Sequence, residues 1–401
     1  MSEAEELTSA MRELPGGVCA PEGFRAAGVS CGLKSSGEPD LCLLVAEERC
    51  IAAGTFTRNA FRAAPVLVTM EHLWEDGRLQ AVVANSGNAN AWTGERGMRD
   101  AAGMAALVAR ETGVSPRDVG VASTGIIGAF LDMEKVEKGI AEAARRLSRE
   151  GGGEAARAIM TTDTRPKEAA VALEGFTVGG MAKGAGMIRP DMATMLAFLT
   201  TDAQVSSEEL VRALRSAVER TFNRITVDGC TSTNDMVLVL ASGRSGRRVG
   251  EREMEAALRT VCSRLARAIV EDGEGATRFV SVRVRGAADE EEARRAAFAV
   301  ADSPLVKTAF FGGDANWGRV VQALGAALPD LEAGGVRVEI GGVTVAERGL
   351  PAEADRDLLR EVMSARELWV DILLGRGDGS CEVWTCDLSY DYVRINAEYH
   401  S

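Results

Sequence analysis

The spacing of apolar positions predicts strands and helices in alternation along the chain. Glycine-bounded apolar runs such as LCLLVAEERCIAAGTF predict short strands with turns over the first 70 residues. Apolar residues three and four positions apart predict an amphipathic helix at LDMEKVEKGIAEAARRL. Ser206 followed by Glu209 is the sequence of a capping box, so a further helix is expected to begin there.

The pattern changes near residue 279, where FVSVRVRG alternates strictly between apolar and polar positions. Such alternation predicts a half-exposed strand. VRVEIGGVTV predicts a hairpin around Gly341 and Gly342, and WVDILLGRGDGSCEVWTCDL predicts another around its Gly/Asp turn. We therefore expect a larger domain over residues 1–285 and a smaller one over residues 286–401.

Composition narrows the classes of function. The 401 residues are 46% apolar and 26% charged, as in ordinary globular domains. The formal net charge of −13 argues against nucleic acid or an anionic membrane as the main partner. The sequence has no run of 18 apolar residues and no basic segment followed by an apolar one at its start. We therefore expect no membrane span, no secretory signal and a cytoplasmic location.

Cysteine and histidine restrict the chemistry further. None of the eight cysteines forms a C-x-x-C pair, so we expect them to be reduced and buried, and we expect no metal site. Only two histidines are present, His72 and His400. An enzyme of the Ser-His-Asp or Cys-His type would need one of these two as its base, and that alternative remains open.

The segment KGAGMIRPDMATMLAFLTTDA, which runs from Lys183 to Ala203, places Thr194 after two glycines and a proline. Threonine is a common strand former, so a purely structural role is one interpretation. The other is catalytic, because a threonine can use its own α-amine as a general base. A free α-amine has a pKa of about 7.7–8.0, close to neutrality. That role requires cleavage of the Ala193–Thr194 bond.

This segment resembles the self-cleavage segment of the ornithine acetyltransferase family, the glutamate N-acetyltransferases of arginine biosynthesis. Eight further segments carry the resemblance along the chain. They are GTFTRNAFRAAPV, ANSGNANAWTG, ASTGIIG, MTTDTRPK, TVDGCTSTNDMV, EDGEGATRF, FFGGDANWGR and the C-terminal INAEYHS. The chain departs from the family at Ala185, Arg189 and Asp191, where Ser, His and Asn are expected. The two charged departures, Arg189 and Asp191, are expected to tune the rate of self-cleavage.

The resemblance implies a layered α-β-β-α sandwich of the α+β class with a smaller C-terminal α+β domain. It also implies self-cleavage between Ala193 and Thr194 into an α chain, 1–193, and a β chain, 194–401. Acetyl would pass from N-acetylornithine to Thr194 and then to glutamate, with ping-pong kinetics. Some members also accept acetyl-CoA. Members assemble from two α and two β chains or more, and no metal or organic cofactor is implied.

The family's site residues map onto this sequence individually. Thr194 corresponds to the nucleophile, and Thr124 and Gly125 correspond to the pair that stabilises the oxyanion. The substrate contacts are Thr161, Lys183, Thr194, Glu274, Asn396 and Ser401, with Thr162 as the alternative to Thr161. We expect Lys183 to bind a carboxylate and Glu274 an ammonium group.

Each of these assignments has a structural alternative. The segment TGIIG is also typical of a tight turn, Glu274 of a solvated loop, and Asn396 and Ser401 of a frayed tail. We assign no role to FFGGDANWGR or ANSGNANAWTG. An N-terminal-nucleophile aminopeptidase or amidase, in which water replaces glutamate, is the alternative enzyme, and a non-catalytic protein with an intact chain is the third interpretation.

Overall fold

The computed structural model describes residues 10–189 and 195–398, which form two compact units. The first unit includes the described residues up to Asn223 together with Cys230–Ile269, and the second includes Arg224–Gly229 and the described residues from Val270 onward. The boundary expected after residue 285 lies within the strand Phe279–Ala287. The division into domains at that residue stays a prediction.

The first unit contains one mixed sheet and the helices that pack on it. Its strands are β1 Arg12–Glu13, β2 Phe24–Val29, β3 Leu41–Phe56, β4 Arg78–Asn88, β5 Val119–Ile126, β6 Lys167–Leu173, β7 Phe176–Lys183, β8 Leu196–Thr201 and β9 Met236–Ala241. Its helices are α1 Ala64–Asp76, α2 Gly94–Thr112, α3 Met133–Arg146, α4 Gly152–Ala158, α5 Ser207–Glu219 and α6 Glu251–Glu271.

The long strand β3 joins the two halves of this sheet. Its first part pairs with β2 and β4, its last part pairs with β9, and the register shifts between Val45 and Cys50. The strand order is β1-β6-β7-β8-β9-β3-β4-β5, with β2 paired to β3 outside this path. A strand that changes partners along its length allows one sheet to form two layers.

The inner faces of the two halves share one hydrophobic core. Val82 and Ala122 from one half lie in the same buried cluster as Phe198 and Leu238 from the other. The two layers approach closely, because a Cβ added at Gly120 of β5 would lie 3.2 Å from Leu238 Cδ1 of β9. The sheet therefore folds over at β3 and encloses a core between its halves.

Helices cover both outer faces. Met104 of α2 and Ile140 of α3 belong to the cluster that includes Val83 and Val121 on the outer side of β4 and β5. On the other layer, Val261 of α6 lies against β7, 3.0 Å from a Cβ added at Gly180. Helix, sheet, sheet and helix thus follow one another, which confirms the predicted α-β-β-α arrangement.

A local signal in the sequence predicted where α5 begins. Ser206 accepts a hydrogen bond from the Glu209 N–H at 3.3 Å, and the Glu209 side chain accepts one from the Ser206 N–H at 3.1 Å, so the predicted capping box is confirmed.

Helix α1 contradicts the prediction of strands alone over the first 70 residues. Its β-branched residues favour a strand, but Pro65 in the first turn and burial against the sheet favour a helix.

The second unit contains another mixed sheet. Its strands are β10 Phe279–Ala287, β11 Arg337–Ile340, β12 Val343–Glu347, β13 Leu350–Pro351, β14 Glu367–Leu373 and β15 Gly379–Cys386. Its helices are α7 Glu290–Ala301, α8 Pro304–Phe311, α9 Trp317–Ala327, α10 Arg356–Ser364 and α11 Tyr390–Glu398. The core of this unit includes Val282 and Val370 from the sheet and Phe310 from α8.

The strand order of this second sheet, β13-β12-β11-β14-β10-β15, tests the two predicted hairpins. The antiparallel pair β11–β12 around Gly341 and Gly342 confirms the first. The second is wrong, because β10 lies between β14 and β15: Val282 pairs with Val370 in parallel and with Val383 antiparallel. The Gly/Asp turn between β14 and β15 is a local signal and carries no information about which strand lies beside each of them.

Two other sequence expectations concern the described residues. Within residues 10–189 and 195–398, no helix has the length and apolar character needed to cross a membrane. The eight cysteines carry no disulfide. Five are buried and Cys19 and Cys31 are partly exposed, whereas Cys230 is exposed, so the expectation of burial is wrong at that position.

Candidate active site

Thr124 and Gly125 lie at the end of β5, where that strand runs parallel to β4. The ladder pairs Thr124 with Ser86 and Gly125 with Gly87. Side chains two residues apart on a strand share a face, so Thr124 faces the inner core, as Ala122 does. The Thr124 side chain is buried there.

Gly125 occupies a position that excludes any larger residue. Its φ is +134°, in the region that favours glycine. A Cβ at this position would lie 2.4 Å from the Gly87 carbonyl carbon and 2.5 Å from the Asn88 nitrogen. The close approach of β4 and β5 therefore requires glycine immediately after Thr124.

Lys183 reaches Thr124 from the opposite layer. It is the last residue of β7 and shares the inner face with Met181, two residues earlier. Its ammonium group donates a hydrogen bond to Thr124 Oγ1 at 3.2 Å, and both side chains are buried. Two residues that the sequence assigned to different roles thus meet between the layers.

Asp163 connects this contact to Thr161. One carboxylate oxygen accepts hydrogen bonds from Lys167 Nζ at 2.6 Å and from the Gly184 N–H at 2.8 Å. The other accepts one from the Thr161 N–H at 3.0 Å. Asp163 therefore holds the Thr161 backbone and the residue after Lys183 in one cluster. Asp163 was not among the residues predicted from the sequence, although it lies within the segment MTTDTRPK.

The charge of Asp163 is stabilised by its neighbours. Burial alone would raise the pKa of this carboxyl group, but the ammonium groups of Lys167 and Lys183 outweigh burial. The result is a pKa of about 2, so Asp163 is ionised at neutral pH. Lys34 also interacts with Asp163 and Lys183, and burial lowers the pKa of its ammonium group. The cluster is therefore rich in cations, as an anionic substrate group requires.

Asp235 is a second carboxyl group that sequence analysis missed. It lies just before β9 in the quoted segment TVDGCTSTNDMV and is fully buried. Its Oδ1 accepts a hydrogen bond from the Met195 N–H at 2.8 Å. Burial raises its pKa well above the usual value, against the opposing effects of the Met195 N–H, of Lys183 and of the Ser232 N–H.

The side-chain amides of Asn85 and Asn234 form hydrogen bonds with residues near the ends of β4 and β5, next to Thr124. Ser123 donates a hydrogen bond to Asn85 Oδ1 at 2.6 Å, and Asn85 Nδ2 donates to the Asn88 carbonyl at 2.8 Å. Asn234 Nδ2 donates to the Ser123 carbonyl at 2.8 Å. The segment ANSGNANAWTG, to which the sequence gave no role, thus supports the predicted oxyanion pair.

Two other predicted residues meet in the second unit. Asn396 on α11 donates a hydrogen bond from Nδ2 to Glu274 Oε2 at 2.7 Å, and Glu274 is buried. Gly275, with φ +70°, presents its carbonyl to the Ser389 hydroxyl at 2.6 Å. These contacts place Asn396 in a helix and remove Glu274 from solvent, unlike a frayed tail or a solvated loop.

The structure shows no functional contact for the remaining residues predicted from the sequence. Ala193, Thr194 and Ser401 lie outside the described residues, as does His400. Thr161 and Thr162 are both partly exposed, so the choice between them stays open. His72 has Nδ1 2.8 Å from the Val119 carbonyl, at the start of β5, whereas Thr124 is near its end. No cluster of three or more metal-binding side chains occurs among residues 10–189 and 195–398.

Comparison with known proteins identifies the family. The ArgJ family model matches residues 25–401. The arginine biosynthesis bifunctional protein ArgJ of Symbiobacterium thermophilum is 50% identical over 403 residues, covering 98% of this chain and all of the relative. The protein of the same name from Thermosynechococcus vestitus is 44% identical over 413 residues, covering 97% and 99%. The chain belongs to the ArgJ family.

Two solved structures are also similar to this ArgJ-family chain. Ornithine acetyltransferase from Mycobacterium tuberculosis, complexed with ornithine, is 47% identical, with 45% of this chain and 98% of that chain covered and a TM-score of 0.43. The bifunctional protein argJ of Bacillus halodurans is 41% identical, with 46% and 98% covered and a TM-score of 0.42. Membership in the ArgJ family confirms the recognition made from the sequence segments, that of an acetyltransferase family of arginine biosynthesis.

Proposed function

We propose that this chain transfers acetyl from N2-acetyl-L-ornithine to L-glutamate through an acetyl ester on Thr194. The observation that carries the proposal is the buried contact between Lys183 and Thr124, which joins the two layers of the first unit. Asp235, which interacts with Lys183, accepts a hydrogen bond from the N–H of Met195, the residue after Thr194. Covalent connection to Met195 supports Thr194 as the nucleophile.

Self-cleavage creates the catalytic base. Thr194 Oγ attacks the Ala193 carbonyl, and water hydrolyses the resulting ester to give chains 1–193 and 194–401. The new α-amine of Thr194 accepts the proton from its own hydroxyl during turnover. An α-amine suits this role because its pKa of about 7.7–8.0 lies near the working pH.

The hydrogen bond from Lys183 supports the oxyanion role of Thr124. An ammonium group can only donate, so Thr124 Oγ1 is the acceptor in this contact. The Thr124 hydroxyl proton therefore points elsewhere and can be donated to a substrate oxyanion. The Gly125 N–H supplies the second donor in the proposal.

Charged residues recognise the two ends of ornithine. Lys183, within the cation-rich cluster around Asp163, binds the substrate carboxylate, and Thr161 and Ser401 complete the contacts. Asn396 holds one carboxylate oxygen of Glu274 and so orients that group for the substrate ammonium. N-acetylornithine carries a carboxylate and an ammonium group, so its recognition needs one cation and one anion.

The relatives are named bifunctional, which supports a second acetyl donor. We propose acetyl-CoA for that role, with cytoplasmic heterotetramers of two α and two β chains as the working form. No metal or organic cofactor takes part in the proposed steps.

Intact mass spectrometry under denaturing conditions tests the proposal first. Two chains, the second beginning at Thr194, are expected, and a Thr194→Ala variant should remain a single chain. Purified protein should then move acetyl from N-acetylornithine to glutamate, and also from acetyl-CoA, faster than it releases acetate. Acetate release that outpaces transfer would establish the hydrolase alternative instead.

A further inference from the structure

Ser389 joins the loop that carries Glu274 to the helix that carries Asn396. It immediately precedes α11, and its hydroxyl oxygen accepts the Asp391 N–H at 3.2 Å, as the residue before a helix commonly does. The same hydroxyl donates a hydrogen bond to the carbonyl of Gly275, the residue after Glu274, at 2.6 Å. One buried side chain of the second unit therefore connects the first turn of α11 to this loop.

Asn396 makes a second connection between the same helix and the same loop. It lies seven residues after Ser389, and because seven residues make about two helical turns, the two positions face the same side of α11. Asn396 Nδ2 donates to Glu274 Oε2 at 2.7 Å and to the Tyr392 carbonyl at 3.0 Å. A rotation of α11 about its axis would therefore disturb both connections together.

The backbones of the loop and of α11 pack closely at Gly275. Its φ is +70°, and a Cβ added there would lie 2.5 Å from the Tyr392 nitrogen, a backbone atom that cannot rotate away. Farther along the loop, the buried Asp387 carboxylate accepts the Thr277 N–H at 2.8 Å and the Arg278 N–H at 3.0 Å. The loop is thus held at successive points, and the hydroxyl before α11 holds the point next to Glu274.

We infer that Ser389 is a positioning residue for the carboxylate of Glu274, an inference that rests on the proposed function. Its hydroxyl fixes the Gly275 carbonyl, and with it the backbone from which the Glu274 side chain extends. It also fixes the start of α11, and with it the approach of Asn396 Nδ2 to that side chain. Both effects determine where the carboxylate meets the side-chain ammonium of N-acetylornithine. Ser389 acts through Glu274 and needs no contact of its own with the substrate.

A Ser389→Ala variant of the full chain tests this inference with two acetyl donors. N-acetylornithine carries the side-chain ammonium, whereas N-acetylnorvaline has the same carbon skeleton without it. The ratio of kcat/KM for the first donor to kcat/KM for the second measures recognition of the ammonium group. We expect the variant to lower this ratio about 10-fold, the factor for one hydrogen bond to a charged group. The loss should come from a higher KM for N-acetylornithine, with kcat near wild type.

Ser303→Ala is the matched control. Ser303 precedes α8 in the same unit and accepts the Val306 N–H at 3.4 Å, so this variant also removes the cap of a helix. Its hydroxyl binds α8 rather than the loop of Glu274. Urea unfolding should show similar losses of stability in the two variants, and only Ser389→Ala should lower the donor ratio.

A purely structural role for Ser389 predicts a different result. It would lower kcat/KM for both donors alike, so an unchanged ratio in folded Ser389→Ala, or an equal fall in Ser303→Ala, would overturn the inference. If Ser389→Ala does not fold, as judged by circular dichroism, Ser389→Cys takes its place under the same criterion, because a thiol fills similar space and is a weak donor.

The two proposals fail in different ways. A wild-type chain that transfers no acetyl from N-acetylornithine to glutamate contradicts the proposed function, and the inference with it. A Glu274→Gln variant with an unchanged donor ratio contradicts the ammonium contact on which the inference rests, and so overturns both. Where wild type is active and Glu274→Gln lowers the ratio, an unchanged ratio in Ser389→Ala contradicts only the role of Ser389.

Discussion

At the scale of single residues, the hydrogen bond that Thr124 accepts determines where its hydroxyl proton can be donated. Lys183 occupies its acceptor position, so the hydroxyl proton is available to a negative oxygen. The sequence suggested the same donor from the resemblance alone. The structure adds the residue that orients it.

Replacing Thr124 with valine removes the donor and keeps the shape. We expect kcat for acetyl transfer to fall about 10²–10³-fold, because one oxyanion donor is lost. Thr200→Val is the matched control, since Thr200 is also buried and its hydroxyl donates a hydrogen bond to the Val18 carbonyl at 2.8 Å. That control should lower the melting temperature and leave kcat near wild type. Equal activity of the two variants would contradict the oxyanion role.

Lys183→Met should raise KM for N-acetylornithine about 10- to 100-fold, the loss expected for a charge-assisted hydrogen bond. Steady-state kinetics on the cleaved protein provides the measurement. Lys138→Met removes the same charge from an exposed position on α3 and should leave KM unchanged. An unchanged KM in Lys183→Met would rule out the carboxylate contact.

At the scale of elements, the approach of β4 to β5 depends on Gly125. A Cβ there would meet β4 backbone atoms at 2.4 and 2.5 Å, and these atoms cannot rotate away as a side chain could. Gly128, two residues after β5, offers a comparison: its φ is +84°, but a Cβ added there would meet no atom of the described residues within 4 Å.

Gly125→Ala should therefore separate the strands, lower the melting temperature strongly and abolish most acetyl transfer. Gly128→Ala should cost only the strain of a left-handed residue, about 1 kcal/mol, and remain active. Thermal unfolding followed by circular dichroism, with kcat measured in parallel, distinguishes the two. Similar losses in both variants would show that backbone conformation, rather than the contact with β4, decides the effect.

At the scale of the whole molecule, the proposed cut falls between two paired strands. β7 belongs to residues 1–193 and β8 to residues 194–401, and they pair from Val178–Thr201 to Lys183–Leu196. Met181 and Phe198, one from each product, also share the inner core. Separation of the products would break both the ladder and the core.

We therefore expect the two product chains to remain together after cleavage. Native mass spectrometry should show a particle that contains both chains in equal number, and denaturing conditions should separate them. Dissociation in the absence of denaturant would contradict the continuous sheet.

Asp163 gives the stability of the molecule a defined pH dependence. Its pKa is about 2 in the folded chain, against about 3.9 for an unperturbed aspartate. Because the folded value is depressed, its contribution is present above about pH 4 and is lost as the pH falls toward 2. Urea unfolding across this range should show a fall in the free energy of unfolding that Asp163→Asn reduces. An identical fall in both proteins would show that other carboxyl groups cause it.

The departures at Ala185 and Arg189 remain compatible with the site. Ala185 is fully buried and Arg189 is exposed, so each residue matches the environment it occupies. Asp191, the third departure, lies outside the described residues.

The sequence by itself determined the features that depend on neighbouring residues. The capping box at Ser206, the hairpin at Gly341 and the helical spacing of α3 are all local, because hydrogen bonds and side-chain contacts over three or four residues specify them. The ordered segments also determined the family and, through it, Thr124, Gly125 and Lys183 as candidates.

Only the tertiary structure decided which distant residues meet. Nothing in the alternating pattern of β14 and β15 places β10 between them, since strand order depends on contacts across the whole sheet. Asp163 and Asp235 have little local signal, because their charge state is set by burial and by lysines from other strands. Long-range packing thus determined which candidate residues lie together and which charges surround them.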